Sequence, residues 1–339
     1  MTGQIWSADA SGGYLYSDNL SEYLRIELQP RTKFRGLADL KEDALGLHRG
    51  DTYRWNVYSS IATGGGPIGE TERIPESKFT AQQRSLTIQE FGNSVPFTKK
   101  VELLGEHDVK DVINQTLRDD ARKVFDRMTV YQFDQTPLRV VPTSGNSTTA
   151  VTLTTNGTTA TVNAVAMNND HVKAIVDVAK ERNIPPFEGD DYMCISHPST
   201  LRTFKNALED IHQYTDTGVG MIYSGEIGRY ESCRFIEQNH VPKGHAIDAR
   251  FVNGDANKNS VNYVYGAVDD PWSGGVSSWA YFFGSDTVIE APSVPEEIRG
   301  KLPQDYGRDN GVAYYYMGEC GLSHPDALNA RILKWDSAT

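Results

Sequence analysis

The stretches DTYRWNVY (51–58) and RSLTIQEFGNSVPFTKKV (84–101) set the reading of this chain. Both are rich in Thr, Tyr, Val, Ile and Phe and show partial period-two alternation, the pattern of β-strands. The segment between them, 59–83, carries Gly64, Gly65, Gly66, Gly69, Pro67 and Pro75 in a polar, charged background. Glycine and proline at that density favour turns, so the segment is expected to form a mobile tip and not a folded lobe. A two-stranded ribbon is marginal alone in water, so this one is expected to be held by another surface, its own domain or a neighbouring copy. The arm points to assembly before it points to catalysis.

Upstream, residues 1–50 alternate short apolar pieces (Tyr23, Leu24, Ile26, Leu28) with Gly, Asp and Arg. They read as an extended N-terminal segment with one short helix near 17–28. Downstream, 106–134 place Val109, Val112, Ile113, Thr116, Leu117, Ala121, Val124, Phe125, Met128 and Tyr131 at helical spacing. With Asp108 as N-cap and no Gly or Pro inside, this predicts one helix of about 24 residues, about 36 Å long. The Thr- and Gly-rich stretch 143–163 aligns as a hairpin about Asn156-Gly157, with Val151 facing Val162 and Leu153 facing Ala160. A helix is expected after the caps Asn168, Asn169 and Asp170, using Val172, Ile175, Val176 and Ala179 and stopping before Pro185-Pro186. Residues 191–196 (DYMCIS) suit a buried strand, and Ser196 is expected to cap a helix carrying Leu201, Phe204, Leu208 and Ile211. Strands follow at 232–236, 261–268, 278–283, 286–290, 312–317 and 329–335. The fold class is α+β with at least two lobes, and no internal repeat argues for a solenoid or propeller.

The chain has 339 residues, 38% of them hydrophobic and 10% aromatic. That is enough for real cores. Its 33 basic and 45 acidic residues give a formal charge of −12. Such a balance opposes broad attraction to phosphate or to anionic membranes. Three cysteines without a CxxC pair indicate neither a disulfide framework nor a clustered zinc site and fit a reducing compartment. The first twenty residues lack a basic leader and an apolar core, and no apolar run is long enough to cross a bilayer. Neither export nor membrane spanning is expected.

No constellation of side chains reaches the standard of an active site, and no cofactor or metal is expected. His240 and His245, near Cys233, have neither HExxH nor finger spacing. The eight histidines (48, 107, 171, 197, 212, 240, 245, 324) read as surface or capping residues. The glycine-rich run Gly218–Gly228 lacks phosphate-loop spacing and reads as a loop. Asp269-Asp270 before Pro271 reads as a solvated turn. Ser224 lacks the nucleophile elbow, and Cys194 sits in a core strand. The aromatic runs Trp279–Phe283 and Tyr314–Tyr316 read as packed strand faces.

Three segments and the order of elements carry a resemblance. They are Ile184-Pro185-Pro186 through Tyr192–Leu201, then Gly225–Glu237 (GEIGRYESCRFIE), and Asp305-Tyr306-Gly307-Arg308 ahead of Gly311–Tyr316. Together with an arm, a ribbon and a long helix, they resemble tailed-phage major capsid proteins of the Hong Kong 97 type, podophage-like branch. The resemblance implies an N-terminal arm (1–50), an extended β-hairpin (51–102), a spine helix with peripheral strands (103–166), an axial α/β lobe (167–275) and a return to the peripheral sheet (276–339). It implies homo-pentamers and homo-hexamers tiling an icosahedral shell around double-stranded DNA without specific binding, in a virion made in the host cytoplasm. The ribbon would lie over a neighbour, with Gly64, Gly65, Gly66, Glu70, Glu72 and Arg73 as contact residues. Scaffolding, portal and decoration proteins are the further partners implied. The short stretch 1–50 ahead of the arm leaves no room for a cleaved scaffold domain, so a separate scaffolding protein, or none, is expected. Lys78, Lys99 and Lys100 lie in the arm, but no acceptor asparagine or catalytic glutamate matches, so the covalent crosslink of some members is not carried over. Two rival readings are an encapsulin-like compartment and a cytosolic hydrolase or binding protein using His240, His245, Asp269 and Asp270.

Overall fold

The computed structural model describes residues 33–38, 40–41, 51–61, 64–105, 108–143, 150–157, 165–212, 228–238, 241, 278–303 and 305–337. In chain order they form β1 (Leu40–Lys41), β2 (Thr52–Tyr58), β3 (Ala81–Thr87), β4 (Gln89–Thr98), α1 (Lys99–Leu104), α2 (Val109–Asp134), β5 (Arg139–Pro142) and β6 (Val151–Thr154). There follow α3 (Asn169–Glu181), β7 (Tyr192–Ser196), α4 (Arg202–His212), β8 (Arg229–Tyr230), β9 (Cys233–Glu237), β10 (Ser278–Phe283), β11 (Val288–Gly300), β12 (Asp309–Leu322) and β13 (Ile332–Ser337). Among these residues three sheets result: four strands in the order β1-β11-β12-β4, seven in the order β6-β5-β13-β10-β7-β9-β8, and the ribbon β2-β3.

The seven-stranded sheet is buried on both faces, and that is why its central strands read as unbroken apolar runs. Cys194, Ala280, Phe282, Leu333 and Trp335 face a core shared with Val172, Ile175 and Val176 of α3 and Leu201, Phe204 and Leu208 in and beside α4. Ile195, Tyr281, Phe283 and Ile332 face the opposite way, onto Phe125, Met128 and Phe133 of α2. The first half of α2 turns Val109, Ile113 and Leu117 toward Phe97 of β4 and Tyr314 of β12. One helix of 26 residues therefore ties both large sheets together. Ring contacts mark the seam: Phe125 lies 4.7 Å from Tyr316 and Phe133 lies 5.0 Å from Phe283. Both pairs meet edge to face, the arrangement the ring quadrupoles favour.

The upstream segment closes this core. Phe34 is fully buried against Phe133 and Tyr281, and its N–H donates to the buried Asp126 carboxylate at 2.7 Å. Arg35 lies over the Phe125 ring at 4.5 Å and reaches Glu290 at 2.6 Å, and β1 then pairs in parallel with β11. Lys334 is buried too, beside Asp134, with its Nζ 3.3 Å from the centre of the Trp279 ring.

Several sequence expectations hold. Asp108 caps α2 by accepting the Lys110 N–H, and Asn168 caps α3 in a reciprocal box with His171. Each satisfies a backbone donor that the first helical turn leaves free. The buried strand 192–196 and the strand 278–283 stand as expected. Others need correction. The stretch 84–101 is not one strand, because Ile88 interrupts it, β4 leaves the ribbon for the four-stranded sheet, and residues 99–104 are helical. The hairpin about Asn156-Gly157 is not among these, because its second strand falls on residues 158–164, outside the described residues; within them β6 pairs with β5, Leu153 opposite Val140 and Val151 opposite Pro142. Ser196 is not a helix cap. It is buried in β7, and a turn supported by a hydrogen bond between His197 Nδ1 and Ser199 Oγ (2.8 Å) precedes α4. Strands β11 and β12 outrun expectation, since β11 continues through Pro292 and Pro295 with two register shifts. Such irregularities absorb the missing proline N–H groups. The helix near 17–28 and the strand 261–268 lie outside the described residues.

Candidate functional site

The arm is the feature no compact domain requires. Strands β2 and β3 pair through seven rungs, from Thr52 opposite Thr87 to Tyr58 opposite Ala81. One further rung, Ser59 N–H to Thr80 O at 2.8 Å, closes the ribbon, and the Tyr58 and Phe79 rings meet edge to face at 6.2 Å. Beyond it, residues 64–80 are all exposed and adopt no helix or strand. Local order there comes from a tight turn in which Glu72 N–H donates to Gly69 O at 3.0 Å and the Glu72 carboxylate accepts the Gly69 N–H at 3.1 Å. Gly64, Gly65, Gly66, Glu70, Glu72 and Arg73 all lie on this tip. So do Ile68 and Ile74, the latter 75% exposed.

The base of the ribbon is attached to the body. Leu86 is buried with Ala291, and Tyr53, Trp55 and Ile88 pack around them. Trp55 Nε1–H donates to the Ser323 carbonyl at 3.2 Å, and its strand partner Arg84 pairs with Asp326. Gly321 lies under this contact, because a Cβ there would stand 3.3 Å from the Trp55 ring edge. None of these anchors was visible in sequence, since residues 55 and 84 meet residues 321–326 only in the folded chain.

A second exposed region lies at the far end of the four-stranded sheet. Asp305, Tyr306 and Gly307 all take positive φ (49°, 53° and 86°) and turn the chain sharply into β12. The turn, the end of β11 and the end of β4 enclose an open groove of about 950 Å³ lined by Pro96, Phe97, Arg299, Lys301, Arg308 and Val312 among others. Its charges are locally matched: Arg299 to Glu297, Lys301 to Asp309 and Arg308 to Asp305. Leu302 and Tyr306 project from the turn, with Leu103 and Leu104 of the adjoining α1 and Ile298 of β11 also exposed.

The remaining chemical candidates fall into structural places. Cys194 and Cys320 are buried, and burial pushes both thiols up. Both are thereby held away from the reactive thiolate. Desolvation likewise raises Tyr314 and Tyr316, whose hydroxyls donate to Asp120 and Glu290. His171 caps α3 with Nδ1, and burial lowers its pKa. His324 pairs with Asp286 at 2.8 Å. No group of three His, Cys, Asp or Glu side chains is gathered as metal ligands among the described residues. His48, His107, His240, His245, the side chain of His212, Ser224, residues 218–227 and Asp269-Asp270 lie outside the described residues.

No protein-family model matches the chain, and no curated protein matches it. Solved structures do match, over almost its whole length. The capsid of cyanophage P-SCSP1u aligns with a TM-score of 0.68 at 13% identity, covering 96% of this chain and 94% of that one. The head of Helicobacter pylori bacteriophage KHP40 aligns at 0.63 and 15% identity over 100% of both chains. The capsid of Ralstonia phage GP4 aligns at 0.61 and 14% identity over 98% of both. At 13–15% identity and almost full coverage of both chains, these matches show one thing: the chain has the fold of the phage capsid chains.

Proposed function

We propose that this protein is a shell subunit: a phage major capsid protein that assembles with copies of itself, as pentamers and hexamers, around packaged DNA. The observation that carries the reading is the arm, a ribbon and an exposed tip (64–80) on a fold shared end to end with capsid subunits. Its role is structural and not catalytic. Each subunit would lay its tip over a neighbour, with Gly64–Gly66, Glu70, Glu72 and Arg73 at the contact and Ile68 and Ile74 removed from water there. Many such contacts, each modest, make a closed lattice durable through multivalency. The division into N-terminal arm, ribbon, spine, axial and peripheral parts follows the same reading, as do location in the virion and a supporting cast of scaffolding, portal and decoration proteins. A formal charge of −12 supports enclosure of DNA without tight binding to it.

Expression of the full chain, alone and with the scaffolding protein of its own source, followed by negative-stain microscopy and light scattering, tests this. Closed particles tens of nanometres across are expected. A small discrete oligomer under both conditions would overturn the proposal.

A further inference from the structure

The contacts at the ribbon base converge on one short turn. Both ribbon strands are attached to Ser323–Asp326: β2 through Trp55 Nε1–H to the Ser323 carbonyl, β3 through Arg84 to Asp326. Besides backbone hydrogen bonds from Ser323 N–H to Thr287 O (2.9 Å) and from Ala330 N–H to Asp326 O (2.8 Å), one carboxylate gathers the side chains at its start. Asp286 accepts from Ser323 Oγ at 2.8 Å and from His324 Nε2 at 2.8 Å, and it pairs with Arg331 Nη1 at 2.8 Å. Asp286 sits at φ 56°, in the left-handed region. Among L-residues only Asn and Asp visit that conformation at all readily, so the corner is specified by its side chain as well as by its backbone. Two residues earlier stands Gly284, where any Cβ would collide with the Pro185 carbonyl at 1.9 Å. The support is therefore built on a rigid corner of the body. On the other side, only Ile88 separates β3 of the ribbon from β4 of the four-stranded sheet.

We infer that Asp286 and the Ser323–Asp326 turn form a latch that fixes the angle at which the β2–β3 ribbon leaves the body, with Ile88 as its hinge. A ribbon joined to the body through Ile88 on one strand and through the chain ahead of Asp51 on the other can swing, because a hinge needs only a few backbone dihedrals to absorb the change. Two side chains on opposite strands, landing on one turn, remove that freedom. The apolar contact alone is small, since Leu86 and Ala291 are its only buried members among the described residues. The polar ties to the turn therefore decide the direction. The inference concerns the subunit's own geometry and stands whether or not the chain builds a shell.

The test measures the angle directly. Nitroxide labels at Asn56→Cys, exposed on β2, and at Asp177→Cys, exposed on α3, report the ribbon-to-body distance by pulsed electron spin resonance in the full chain, diluted with unlabelled protein. The three native cysteines are buried and stay unlabelled. One narrow distance is expected in the parent. Asp286→Ala and Gly321→Val, which remove the anchor and displace Trp55 respectively, should each broaden the distribution at least about twofold, while Asp305→Ala at the far sheet end should leave it unchanged. Trp55→Phe, which keeps an aromatic ring and deletes the hydrogen bond, should also broaden it and covers the case in which a stronger variant fails to fold. Narrow, unshifted distances in the folded variants would overturn the latch, and equal broadening in Asp305→Ala would do the same.

Discussion

For individual residues, the charged interior is what separates this protein from the impression its sequence leaves. Arg35, Asp126, Lys334 and Asp286 look in sequence like ordinary surface charges, yet each is placed against a partner far away along the chain. Asp286 makes the consequence measurable. Burial pushes its carboxyl up, but hydrogen bonds from His324 and Ser323 and the charge of Arg331 outweigh it and leave the pKa below the ordinary aspartate value. Contacts that favour the charged form have won over desolvation. A depressed folded pKa means that the stabilisation is fully present above the unfolded value, about 3.9, and is lost as pH falls through the folded value. The stability difference between the parent and Asp286→Asn should therefore shrink as pH falls below about pH 4. Urea midpoints of the two proteins above and below that pH check it; a difference that does not change with pH would mean the carboxylate charge contributes nothing.

Among the elements, the arm and the long helix have opposite dependencies. Helix α2 is buried along both halves, so its existence is secured by the body it ties together. The tip beyond Tyr58 is exposed wherever it is described and contributes almost nothing to that body. Replacing residues 59–80 by Asn-Gly, which suits a two-residue hairpin turn, should change the stability of the subunit by less than about 1 kcal/mol. The same replacement should abolish closed particles if the tip makes the contacts between copies. Denaturant titration and electron microscopy of one variant read both outcomes. A large loss of stability would show that the tip folds onto its own body.

For the subunit taken entire, exposed apolar groups gather at the tip and at the far end of the four-stranded sheet, at Ile68, Ile74, Leu302 and Tyr306. Association that removes them from water stabilises the folded state by mass action, which a free subunit lacks. Assembled protein should therefore melt at a Tm at least about 5 °C above that of the same chain held dissociated at low concentration. Scanning calorimetry at several concentrations checks this, and a Tm independent of concentration and assembly would contradict it.

Sequence alone was enough for the elements whose cause is local: α2 and its Asp108 cap, α3 with its Asn168 cap, the buried strands at 192–196 and 278–283, and the glycine-rich tip. Each rests on periodicity, capping or turn chemistry within a few residues, so no distant partner is needed to read it. Long-range packing settled that Ile88 divides one apparent strand between two sheets, that β6 pairs with β5, and that Trp55 and Arg84 land on Ser323–Asp326. Those outcomes turn on which of several compatible strand edges and charges meets which. That choice is made by the packing of the whole chain, where residues remote in sequence compete for the same place.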